Sequence, residues 1–319
     1  MPTDRTAVPV VGPRDRCPCG SGRRYKGCHG RAARTAGPVR RPFEGLPGEC
    51  DWVALREIVP AATAPLTLRS GAGPDSASGS AGSADVTLST VLPLAYPAMV
   101  RLDGRVFLGA QSPSPTGDPG LDLGTALATA LASPAGTLVP GPGPDTEPVR
   151  LQDLLDPDAP LEVTVRAGFE HWLEGMDSGD SGPPDPEVVE SMERANAGGV
   201  PTARLTSVTA AYWAGLPERS PLRWVLPDEE EPLLDALARL HADGGLLLGP
   251  GSRFIGTFRA HGLLAPVWDL PAGSPADDAE EPAVAFRSRL DQALAEVAPL
   301  TSEQRHARAG LQTRQLTLR

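Results

Sequence analysis

Glycine (35) and proline (36) together fill more than a fifth of this 319-residue chain, and that density limits the folds open to it. In a helix interior glycine costs about 1 kcal/mol and proline about 3 kcal/mol relative to alanine. Long-helix and coiled-coil architectures are therefore excluded, and short elements joined by many turns are expected. With 40% hydrophobic residues the chain is too apolar for a disordered protein and long enough to bury a substantial core. No run approaches the roughly 18 apolar residues that span a bilayer. The N-terminal segment also lacks the apolar stretch of a secretory signal. The expectation is a soluble, cytoplasmic protein without membrane insertion.

Charge divides the chain unevenly. Residues 1–41 hold ten basic side chains (Arg5, Arg14, Arg16, Arg23, Arg24, Lys26, Arg31, Arg34, Arg40 and Arg41) against Asp4 and Asp15, a balance of +8. The rest of the chain must then carry −19 to give the overall −11. A basic arm on an acidic body suits a tail that meets an anionic partner, or one that contacts its own body.

Three of the four cysteines fall within the arm, in Cys17-Pro-Cys19-Gly-Ser-Gly-Arg-Arg-Tyr-Lys-Gly-Cys28-His29. Without a secretory signal, clustered thiols read as metal ligands rather than disulfides. Cys17 with Cys19 and Cys28 with His29 form two close pairs, and three thiolates plus one imidazole complete the tetrahedron of a structural zinc site. Gly20-Ser21-Gly22 permits a tight turn whose N–H groups approach the sulfurs. Tyr25 supplies apolar cover. Arg23, Arg24 and Lys26 offset the net charge of about −1 on a three-thiolate zinc centre. All four positions are protein ligands, so one structural Zn2+ per chain is expected, with no place for substrate. Cys50, isolated beside Asp51-Trp52, reads as a plain buried thiol.

The segment CPCGSGRRYKGCHG resembles the SEC-C motif, the small zinc module found at the C-terminus of the SecA translocation motor and in other bacterial proteins. The family pattern is met at Cys17, Cys19, Gly20, Ser21, Gly22, Tyr25, Lys26, Cys28 and His29. In SecA the module docks the export chaperone SecB and contacts ribosomes. The resemblance therefore implies a docking role toward a ribosomal, SecB-like or other chaperone partner, and no activity. The chain lacks the phosphate-binding loop of that motor. Its layout, with the motif ahead of an Ala-, Pro- and Gly-rich body, resembles an uncharacterised actinobacterial family that carries the motif at its N-terminus.

The fold class expected is α+β: a small zinc-binding N-terminal module, then a mixed body of largely antiparallel sheets with flanking helices. The layout divides into the basic arm, 1–41 (module core 15–31), a first α+β unit, 42–148, with a flexible loop at 70–85, and a second, 149–319, ending in two helices. A flexible join is expected at Arg40–Pro42. Helices are expected at 51–59, with Asp51 as N-cap, and at 121–132, 187–197, 230–241, 283–298 and 302–315. Strand patterns occupy 86–92, 161–169, 203–213, 222–226, 245–248, 253–259 and 263–270, with a hairpin over 98–111 turning at Asp103-Gly104. Asp243-Gly244 repeats that turn signal, so a divergent duplication is conceivable.

The body shows few convergent reactive groups. His171, His241, His261 and His306 are scattered, and Glu170 and Glu174 share a helical face that His171 does not. Gly249-Pro-Gly251 lacks the N–H donors and lysine of a phosphate cradle. The acidic runs Asp228–Glu231 and Asp277–Glu281 suit helix starts. The tryptophans (52, 172, 213, 224 and 268) read as core. Taken together, the residues indicate a non-enzymatic zinc-binding adapter whose module docks on a protein. RNA binding by the basic arm is the first alternative, and an enzyme with a site assembled from distant loops is the second.

Overall fold

The hairpin signal at Asp103-Gly104 is realised as β3 (Ala98–Val100) and β4 (Val106–Gly109), antiparallel about a turn in which Gly104 takes φ +84°. The computed structural model describes Arg16, Arg24 and residues 39–72, 85–141, 146–173 and 186–313. Most of the loop expected at 70–85 lies outside these residues. β3 and β4 sit inside a six-stranded sheet completed by β1 (Ala62–Leu66), β2 (Val86–Ser89), β5 (Leu138–Val139) and β6 (Thr164–Val165), in the order β5-β3-β4-β2-β1-β6. Only β2 and β4 run parallel. The second sheet, β10-β11-β9-β8-β7, is antiparallel throughout: β7 (Thr202–Arg204), β8 (Ala211–Ala214), β9 (Ser220–Trp224), β10 (Arg253–Ala260) and β11 (Leu263–Leu270).

Among the described residues, seven α-helices accompany the sheets: α1 (Glu49–Glu57), α2 (Pro119–Leu131), α3 (Leu151–Leu154), α4 (Pro186–Ala197), α5 (Glu230–Ala242), α6 (Glu280–Ala295) and α7 (Ser302–Thr313). The class is α+β, with two largely antiparallel sheets. Local sequence explains several helix starts. Asp118 caps α2 by accepting from Leu121 N–H (3.2 Å), with Pro119 in the first turn. Before α7, Thr301 and Gln304 bond each other's backbone N–H groups reciprocally, as a capping box does.

Strand alternation divides the core. Along β11, Leu263, Ala265 and Val267 face one cluster with α1, α2 and the first sheet, whereas Leu264 and Trp268 face another with α5, α6 and α7. The second sheet is thus covered on both faces. Trp224, Trp268 and Phe286 fill the outer cluster, their ring centroids 4.9–6.4 Å apart. Trp52, Val53 and Leu55 of α1 bury into the inner one.

The structure corrects several local expectations. Asp51 is not a helix cap: α1 begins at Glu49, after Gly48 in the left-handed conformation, and Asp51 is buried. Residues 203–213 form two strands, because the chain turns through Ala210 (φ +53°) without a Gly or Asn to announce it. Strand structure within 161–169 is confined to Thr164–Val165. Residues 245–248 form no strand. Their carbonyls are taken by side chains, Gly245 and Leu247 by Arg289 and Leu246 by the Trp268 indole. Gly244 closes α5 rather than turning a hairpin, so the second Asp-Gly does not repeat the first. Among the described residues, no helix is long and apolar enough to cross a membrane.

Candidate zinc module and its mount

The arm enters the body through a fixed root. Arg41, whose side chain is 17% exposed, donates to Glu49 through Nε and Nη2 (2.9 and 2.6 Å) and to Glu229 through Nη1 (2.7 Å). The Glu49 bond is the main reason its guanidinium pKa lies above the ordinary value, against the opposing effect of burial. Arg40 lies 3.8 Å from Glu230, which also accepts from Arg259 Nε (2.6 Å). Arg259 above all holds the Glu230 carboxyl below its usual range. The acidic run Asp228–Glu231 is therefore both a helix start and the receptor of the arm's last two arginines.

Backbone packing tightens the same root. A Cβ on Gly120 would lie 2.2 Å from the Pro42 carbonyl oxygen, and one on Gly262 would lie 2.4 Å from that of Arg40. Only glycine permits these two approaches. Gln152 Nε2 donates to the carbonyls of Pro42 and Glu44 (3.0 Å each). Phe43, 1% exposed, stacks on Trp52 at 5.7 Å and meets the His261 ring edge-on at 5.5 Å. The expected flexible join at Arg40–Pro42 is instead a clamped one, because Arg41 is largely covered and paired, and Phe43 is buried among α1, α2 and the β10–β11 turn, while Arg40 stays exposed.

Beside the root, α1 ties the two sheets together. Arg204 of β7 makes a two-pronged bond to Asp51 (3.0 Å each), and the Tyr212 hydroxyl of β8 donates to the same carboxylate at 2.6 Å. Burial, then the Asp51 charge, push the Tyr212 phenol well above its ordinary pKa. Glu57 accepts from His261 (2.8 Å), chiefly for which its carboxyl pKa is lowered. The clue available in the sequence was Asp51 within the run Cys50-Asp51-Trp52-Val53: a carboxylate among apolar neighbours needs a partner. Its partners lie 153 and 161 residues away, and no local pattern names them.

The zinc candidates Cys17, Cys19, Cys28 and His29 lie outside the described residues. Within the arm, Arg16 and Arg24 form an antiparallel bridge across the segment that holds Cys17 and Cys19. In the body, His171 is buried with Nε2 3.0 Å from Ser89 Oγ, whose own proton goes to the Val91 carbonyl (2.8 Å). His241 and His306 are exposed on α5 and α7. The four histidines are not brought together. Trp52, Trp172, Trp224 and Trp268 are core residues, as expected, and Trp213 is half-buried. Cys50 is a free buried thiol, its pKa pushed up to about 12 by burial first and by Glu49 and Asp51 next. Among the described residues, no group of three or more His, Cys, Asp or Glu side chains could hold a metal ion.

Comparison with known proteins resolves the chain into the same two parts. Residues 14–31 match the model of the SEC-C motif, which places the thiol cluster in that class of small module. Residues 42–319 match the model of the Family of unknown function (DUF5926), and the chain belongs to that family. No curated protein and no solved structure matches it. The family match begins at Pro42, inside the clamped root.

Proposed function

We propose that the chain is a non-enzymatic zinc-binding adapter. Cys17, Cys19, Cys28 and His29 hold one structural Zn2+, and the module they form docks on a protein of the ribosomal, secretory or chaperone machinery. The observation that carries this is the SEC-C match over 14–31 with all four ligand-type residues in place. Three thiolates and an imidazole suit zinc in a closed tetrahedron. The Arg16–Arg24 bridge is of the kind that draws the flanks of a Cys-x-Cys turn together. When bound, the metal supplies folding energy to a segment too short to fold on its own core. The body supplies the mount: the root between Gly120 and Gly262 fixes residues 40–42 against it.

RNA binding is the second possibility, favoured by the ten basic residues of the arm. Two of those ten, Arg40 and Arg41, are already engaged by body carboxylates, and an acidic run borders the root. The test is a pull-down from native lysate with wild type and Cys17→Ser/Cys19→Ser, with and without nuclease. The adapter predicts specific proteins that survive nuclease and are lost from the double variant. Retention that disappears with nuclease and weakens steeply with salt supports RNA binding instead, and identical protein sets from both chains contradict the docking role.

A further inference from the structure

A cleft of about 410 Å³ opens in the first half of the body, far in sequence from the module. Its described walls are Leu94–Pro97, Pro113–Pro115 and Pro140–Gly141, and they carry no charged side chain. In a chain that is 22% charged, nine uncharged residues meet around this opening among the described ones. The volume lies within the range of about 300–1,000 Å³ typical of small-molecule sites.

Two features mark the cleft as built. Leu94 and Ala95, on one wall, take φ +55° and +57° in succession. Such left-handed backbone is unfavourable for an L-residue and concentrates at ligand clamps. It turns the Leu94 side chain outward, 47% exposed, while Ser191 Oγ accepts from the Leu94 N–H (3.2 Å). The other walls are braced from behind. Ser114 Oγ donates to the buried Asp122 (2.5 Å), which also accepts from Thr116 N–H (3.3 Å), and the Pro97 carbonyl accepts from Gly109 N–H (2.8 Å). Four prolines make the walls stiff, so little ordering is required on binding. With the Ser114 hydroxyl committed to Asp122, the Tyr96 phenol is the side-chain donor left among the described walls.

We infer that this cleft is a ligand site for a neutral, largely apolar small molecule that carries one hydrogen-bond acceptor. The proline and leucine walls hold its apolar part, and the Tyr96 hydroxyl donates to the acceptor. The site is independent of the zinc module and gives the body a binding role of its own.

The test is fluorescence titration of the full chain with prodan, a neutral naphthyl ketone whose emission shifts to the blue in apolar surroundings. Saturable one-to-one binding is expected. Gly141→Trp adds bulk to the wall at a position where a Cβ meets no described atom within 4 Å; it should weaken binding at least tenfold at an unchanged melting temperature. Tyr96→Phe keeps the wall and should weaken it about fivefold, the worth of one hydrogen bond. Leu94→Gly should weaken binding without lowering the melting temperature, because glycine relieves the left-handed strain. Absence of saturable binding, or an equal affinity in wild type and in folded Gly141→Trp, overturns the assignment.

Discussion

The arm and the body use polar residues in opposite ways. In the arm, four ligand-type side chains fall within thirteen positions, and eight basic residues precede the two that reach the body. In the body, charged groups are engaged internally across long sequence separations: Asp51 with Arg204 and Tyr212, Glu57 with His261, and Arg308 with Glu231 and Asp235. A short segment cannot bury enough apolar surface to fold on a core of its own, and the proposed zinc site gives its polar residues that task. A large segment folds by apolar burial, and its polar residues are free to lock elements in register. On the proposed reading, the arm folds by a metal, whereas the body folds by its core.

Removing Asp51 should break the body side of that contrast most severely. Asp51→Ala leaves the buried Tyr212 hydroxyl and the Arg204 guanidinium without their acceptor, at a cost of about 3 kcal/mol or more. Equilibrium urea unfolding of the full chain should show the loss, with zinc content unchanged. A change below about 1 kcal/mol would mean that the two sheets are held together by apolar contact alone.

The root offers a finer comparison. Gly262 and Gly104 have nearly the same φ, +81° and +84°, in two hairpin turns, but only Gly262 faces the Arg40 carbonyl. Gly104→Ala should cost about 1 kcal/mol from the left-handed backbone alone. Gly262→Ala should cost clearly more, and hydrogen exchange should show faster opening of residues 40–46. Equal effects from both substitutions would mean that the root is not clamped by close packing.

The smallest effect expected is electrostatic. Burial opposes ionisation of Glu280, but the Ser207 and Thr206 hydroxyls and backbone N–H groups hold its carboxyl down to about 2, from an ordinary 4.5. A depressed carboxylate contributes stability that is present above its unfolded pKa and lost as pH falls through the folded one. Thermal stability should therefore decline from about pH 4.5 toward pH 2, less steeply in Glu280→Gln. Parallel curves for the two proteins would remove Glu280 from the account.

What was legible in the sequence follows the range of the interactions. The Cys17–His29 cluster, the Asp103-Gly104 hairpin and the amphipathic α5 are local patterns with a mechanism, and the last two appear where expected. The 245–248 segment is a short apolar run of the kind a buried strand has, yet Arg289 and Trp268 occupy its carbonyls from other elements. Asp51 looked like a cap because caps are local, whereas Arg204 and Tyr212 are distant in the chain. The arm's charge suits an outside partner or its own body, and nothing near Arg40 and Arg41 in sequence names Glu229 and Glu230 as the body's side of that contact.

Metal content measured alongside calorimetry tests the central claim most directly. Wild type should carry one zinc per chain, and Cys17→Ser/Cys19→Ser none. The body transition should move by no more than about 2 °C between the two, well below the shift that a lost core contact produces. Zinc retained without these thiols, or a wild type that carries none, would contradict the assignment of the arm. A collapse of the body transition in the double variant would show that arm and body share one fold.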